Sequence, residues 1–108
     1  MMLTGEELVR LLAEGESEGR LECKASLANK HEICQAICAF ANDLANRGLP
    51  GVVAVGVDDK GRSTGLAITD ELLRELADLR SNGHILPFPS MSVEKRSYGD
   101  ADIAVAVV

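Results

Sequence analysis

Apolar positions change period several times along the chain, and each change predicts an element. Leu8, Leu11 and Leu12 form a short helical stripe behind Thr4-Gly5-Glu6-Glu7. That start is a capping box: Thr4 accepts from the Glu7 amide while Glu7 reaches back. Gly15 is the predicted stop, because glycine takes the left-handed cap conformation without a Cβ penalty. Leu21-Glu22-Cys23-Lys24-Ala25 alternates apolar and charged, as a half-buried strand does. From about Lys30 to Ala45 the period returns to 3.6. Ile33, Ile37, Phe40 and Leu44 make its stripe, broadened by Cys34, Ala36, Cys38 and Ala41, so this helix should lie on a sheet. Asn46 to Gly51 turns the chain. Val52 to Val57 is an almost unbroken β-branched run and predicts a central strand covered on both faces.

Asp58-Asp59-Lys60-Gly61 reads as a polar turn with Gly61 at positive φ, and Ser63 to Ala67 as a short piece that could pair back as a hairpin. Thr69 caps a helix from Asp70 to about Arg80, with acids at its start and Arg80 at its end, as the helix dipole favours. Leu72, Leu73, Leu76 and Ala77 supply its core face. Asn82-Gly83 ends it, and Pro87-Phe88-Pro89 is extended. Met91, Val93 and Lys95 alternate with Ser92, Glu94 and Arg96. After a turn at Tyr98-Gly99-Asp100, Asp102 to Val108 forms the last strand, with Ile103, Val105 and Val107 on one face and Ala104 and Ala106 on the other. The predicted order is α-β-α-β-(β)-α-β-β: an α/β (α+β) single domain over 1–108, a mixed β-sheet with helices packed on it. The final strand is apolar to its last residue. That predicts a domain truncated at its C-terminal end, or an edge strand that pairs with a second copy in a homodimer.

Composition narrows the class. The 108 residues carry 17 acidic and 11 basic side chains, a net charge of −6. The 46% apolar content, without tryptophan and with one tyrosine and two phenylalanines, predicts a soluble domain with an aliphatic core. The charge argues against a general nucleic-acid coat protein, whose affinity comes from phosphate neutralisation. No apolar run approaches the ~18 residues of a membrane helix, so no membrane partner is expected. Met1 to Arg10 does not resemble a signal peptide. Three cysteines outside any CxxC spacing then fit reduced thiols in the cytoplasm.

The most informative chemistry lies around the first strand. Glu22 and Lys24 share one face of it, and Glu16 and Glu18 precede it in a loop. Asp58 and Asp59 leave the end of the central strand. If the two strands are neighbours, these carboxylates could gather at one sheet end and hold Mg²⁺ or Mn²⁺ through oxygen, with Glu22 and Asp59 as ligands. The plainer reading makes Glu22 and Lys24 a surface pair worth under about 1 kcal/mol, and the aspartates a turn.

Four short pieces in order resemble a known family: Leu21-Glu22-Cys23-Lys24, Ala39-Phe40-Ala41-Asn42, Val55-Gly56-Val57-Asp58-Asp59-Lys60-Gly61 and Gly65-Leu66. They are similar to the motif series of the Schlafen AlbA-type DNA-binding domain family, over about residues 16 to 108. The resemblance implies an α/β fold and a nucleic-acid-directed, transcription-regulator-like module of a longer protein. In the Schlafen branch the domain is a transfer-RNA endoribonuclease with two glutamates and one aspartate. Carried over, the second glutamate is Glu22 and the aspartate is Asp58 or Asp59. The first should stand five positions before Glu22; Ser17 occupies that place, flanked by Glu16 and Glu18. Cys23 stands where the family has phenylalanine, and Asp43 to Gly51 replaces a Gly-Gly.

Arg20, Lys24, Lys60, Arg62, Lys95 and Arg96 are the candidate nucleic-acid contacts, whose affinity would be salt-sensitive. Few aromatics interleave with them, which disfavours stacking on single strands. His31, Cys34 and Cys38 share a helix face, but cysteine is a common buried residue, so zinc is disfavoured. His84 reads as a loop residue. The glycines lack the Gly-Lys-Ser/Thr of a phosphate loop, and no nucleophile elbow is present. The leading expectation is a nucleic-acid-binding module without a cofactor. A metal-dependent endoribonuclease and a dimerisation module are the alternatives.

Overall fold

The computed structural model describes residues 4–14, 21–42, 51–79 and 91–108. In chain order the elements are α1 (Gly5–Glu14), β1 (Leu21–Lys24), α2 (Lys30–Asn42), β2 (Val52–Val55), α3 (Asp70–Asp78), β3 (Ser92–Tyr98) and β4 (Ala101–Val107). This is the α+β arrangement that the apolar periods predict.

Local chemistry sets the helix starts. The Thr4 hydroxyl accepts from the Glu7 amide at 3.1 Å, and the Thr4 amide donates to the Glu7 carboxylate at 3.4 Å, so the capping box forms. The Thr69 hydroxyl accepts from the Leu72 amide at 3.1 Å in extended backbone, as an N-cap requires. Asn29 caps α2 in the same way, through the Glu32 amide at 3.3 Å. The predicted stop at Gly15, the Asn46 to Pro50 part of the predicted Asn46 to Gly51 turn, the helix end at Arg80, and the Asn82-Gly83 and Pro87 to Pro89 segments lie outside the described residues.

The sheet order is β1-β2-β4-β3. β1 runs parallel to β2, in the register Leu21↔Val52 to Lys24↔Val55. β4 is antiparallel to β2 on one side and to β3 on the other. Leu21, Cys23, Val52, Ala54, Ile103, Val105 and Val107 face α1, where Leu8, Leu11 and Leu12 cover them. Val53, Val55, Ala104 and Ala106 face α2 and α3, against Ile33, Ile37 and Leu76. Both faces of β2 and β4 are therefore dry, and an alternating strand can bury both only in the middle of a sheet.

Two expectations are corrected. Ser63 to Ala67 forms no strand; the turn closes through a single bridge, Val57↔Ser63. The last strand is not an edge. β4 spends both of its hydrogen-bonding sides, on β2 and β3, so it offers no open edge for a homodimer. An apolar strand gains most by lying between neighbours. The edges go to β1 and β3, whose charged residues Glu22, Lys24, Glu94, Lys95 and Arg96 suit an exposed rim. Among the described residues no helix is long and apolar enough to cross a membrane.

Candidate nucleic-acid interface

Parallel pairing brings the C-terminal ends of β1 and β2 together, and β3 runs the same way, so its end reaches the same rim. The Lys24 carbonyl accepts from the Gly56 amide at 2.7 Å and the Val57 amide at 3.1 Å. Gly56 turns the chain there at φ +99°, which only glycine adopts freely. Thr64 seals the turn, its amide donating to the Gly56 carbonyl at 2.8 Å and its hydroxyl to the Ala25 carbonyl at 3.1 Å.

Within this turn the segment Asp58 to Arg62 is tied to itself. The Asp58 carboxylate accepts from the Lys60 amide at 2.8 Å and the Arg62 amide at 2.9 Å. The Asp58 amide donates to the Arg62 carbonyl at 2.8 Å, and the Gly61 amide to the Asp58 carbonyl at 3.0 Å. The Arg62 amide foremost, then that of Lys60 and the two cations, hold the Asp58 carboxyl below its ordinary range. Gly61 takes φ +79°, as predicted. From the far strand, the Tyr98 hydroxyl donates to the Gly61 carbonyl.

On the α2 face at the β1 edge, Lys24 lies between two carboxylates. Its Nζ stands 3.2 Å from Glu22 and donates to Glu32. Hydrogen bonding to Glu32 raises the Lys24 pKa against the opposing effect of burial, and Lys24 in turn lowers that of Glu32. A shallow groove beside them is lined by Glu22, Glu32, Gln35 and Ala36.

The predicted site residues thus divide. Glu22 and Lys24 pair as surface ions, with Glu32 as a third member. Asp58 shapes a turn, and Asp59 is exposed. Among the described residues no three histidine, cysteine or acidic side chains gather to hold a metal ion. Glu22 is engaged by Lys24, and Asp58 by two amides of its own loop. Glu16, Glu18 and Arg20, like Ser17 and His84, lie outside the described residues.

The basic residues do not form one patch. Arg96 pairs with Glu94, Nη2 to Oε1 at 2.7 Å and Nε at 2.9 Å, on the α1 face of β3. Lys24 sits on the other face at the opposite edge. Lys60, Arg62 and Lys95 are exposed and have no ion pair among the described residues. Of the cysteines, Cys34 is buried on the α2 face, which pushes its thiol pKa up. Cys23 faces α1 across the sheet, and His31 is exposed.

Sequence reasoning missed Glu32, Asn29 and the Tyr98 link. Asn29 carried a readable signal, an asparagine directly before a periodic helix. Glu32 and Tyr98 are brought in from 8 and 37 residues away, with no local pattern to reveal them.

Among the described residues, three helices on a four-stranded mixed sheet, with a self-tied loop at the rim, define the class. The Schlafen, AlbA_2 family profile matches residues 17–108, and the chain belongs to that family. Its fold is similar to the solution NMR structure of the N-terminal domain of an ATP-dependent DNA helicase RecG-related protein from Nitrosomonas europaea. The TM-score is 0.73 at 23% identity, covering 99% of this chain and 73% of that one. No curated protein matches the sequence.

Proposed function

We propose that the chain is a nucleic-acid-binding module, regulatory and cytoplasmic, within a longer protein, and that it holds a DNA backbone at the Asp58 to Arg62 loop. The observation that carries this reading is the pair of exposed cations Lys60 and Arg62, on a loop whose own amides are already bonded to Asp58. Both side chains are exposed and make no ion pair among the described residues, while their backbone stays fixed, which keeps the ordering cost of binding low. Membership of the Schlafen, AlbA_2 family and the helicase-related name of the structural neighbour support it.

The test is a salt titration of binding to a labelled DNA duplex, comparing the chain with Lys60→Gln/Arg62→Gln. Each lost phosphate contact lowers the slope of log K against log salt by about 0.9, so the double variant should lose about 2. No binding at low salt, or an unchanged slope in the double variant, overturns the reading. Mn²⁺-dependent cleavage of transfer RNA that disappears in Glu22→Gln would replace it with the endoribonuclease.

A further inference from the structure

We infer that Tyr98 is a positioning residue for the Lys60 and Arg62 loop, bracing it from β3 so that both cations are presented to phosphate together. This rests on the reading above and adds to it a residue that touches no ligand.

Tyr98 is the chain's sole tyrosine and ends β3, at the rim where β2 also ends. Its ring packs on the α1-side core, and its half-buried hydroxyl donates to the Gly61 carbonyl. Gly61 stands between Lys60 and Arg62, so this bond holds the midpoint of the loop. The other ties, from Asp58, are internal to the loop: they fix its shape but do not fasten its tip to the body. Tyr98 does that, and it is rigidly seated. Its strand pairs with β4 residue by residue from Ser92↔Val107 to Tyr98↔Ala101. On the other side, the Gly61 α-carbon lies close to the end of α1, where an added Cβ would stand 3.4 Å from the Leu12 carbonyl oxygen.

A tyrosine at a nucleic-acid rim more often serves as a stacking platform. Here the ring is committed to the core and the hydroxyl to a carbonyl, so Tyr98 cannot offer a base its face without breaking both. Phe40 packs into the α2-side cluster. Among the described residues the rim presents charge and backbone rather than rings.

The test is Tyr98→Phe, which keeps the packed ring and removes only the bond to Gly61. Two readouts are followed. Amide hydrogen exchange at Lys60 and Arg62 should accelerate about two- to tenfold, the range one hydrogen bond spans. Duplex affinity at low salt should fall by a similar factor while the salt slope stays that of the unaltered chain, because no charge has been removed. Lys60→Gln/Arg62→Gln behaves oppositely and loses slope. Unchanged exchange at Lys60 and Arg62 in Tyr98→Phe overturns the brace, whatever the binding result. Faster exchange with unchanged affinity also overturns it, leaving Tyr98 a purely structural tie. If the unaltered chain binds no duplex, the functional reading falls and this inference with it.

Discussion

Leu76 is the side chain on which α3 depends. It is the one fully buried residue between Asp70 and Asp78, at 0% exposure, and it enters the cluster of Ile33, Ile37, Val53, Val55, Ala104 and Ala106. Leu72, Leu73 and Ala77 are only half-buried. Leu76→Ala removes three carbons from a dry site, about 2.4 kcal/mol at ~0.8 kcal/mol for each. The facing surface is a sheet pinned on both sides, so it can close little of the space left behind. A residual cavity takes the expected loss to about 3–4 kcal/mol. Urea unfolding followed by far-UV circular dichroism at 25 °C measures it, with an unchanged m-value as the sign that the native state is otherwise intact. Leu73→Ala, at a half-buried position of the same helix, should cost less than half as much. A loss under about 1 kcal/mol for Leu76→Ala, or one equal to that of Leu73→Ala, would refute the seating of α3 through this side chain.

Gly51→Ala should destabilise the fold by about 1–3 kcal/mol through overpacking, because the added Cβ would stand 2.1 Å from Phe40 Cγ and 2.5 Å from its Cβ. Combined with Phe40→Ala, which removes Cγ and the ring, Gly51→Ala should cost less than it does alone, and strictly additive losses would place the fault elsewhere. Stability should also fall at both pH extremes, for opposite reasons. The Asp58 pKa is depressed on folding, so its contribution is complete above the unfolded value near 4 and is lost as pH drops through the folded value. The Lys24 pKa is raised, so its contribution is complete below about pH 10 and is lost as pH climbs through the raised value. Urea midpoints of Asp58→Asn should accordingly decline less between pH 6 and 3 than those of the unaltered chain; parallel curves would deny Asp58 this role.

Where burial dictates the residue type, the chain was legible. The β-branched run at Val52 to Val57 could satisfy its apolar side chains only in the middle of a sheet. The Val/Ala alternation of the last strand divided correctly between α1 and the α2/α3 side. Caps were legible too, because Thr4 with Glu7, and Thr69, act within one turn. The edge assignment of the last strand failed for a physical reason. Chain order says nothing of pairing order, and the same apolar pattern that suggested a partner was met by β3 folding back beside it. The hairpin after Gly61 failed because glycine, serine and threonine there serve a turn closed by the Thr64 bonds, not a ladder.

The candidate site was legible as a place and illegible as a chemistry. Parallel β1 and β2 put Glu22, Lys24, Asp58 and Asp59 on neighbouring strand ends, as their spacing implied. What each carboxylate does depends on partners the local sequence does not name. Glu22 shares Lys24 with Glu32 of α2, and Asp58 turns back on the amides of its own loop. The net charge of −6 therefore misleads in both directions. It counts Asp58 only as a repulsion against phosphate, although that carboxylate also fixes the backbone carrying Lys60 and Arg62. It also counts Lys24 and Arg96 as attractions, although both are engaged by glutamates. Affinity for a polyanion at this rim should follow the candidate cations without an ion pair among the described residues, and two of the three, Lys60 and Arg62, sit on the segment whose backbone is held from within by Asp58 and from outside by Tyr98.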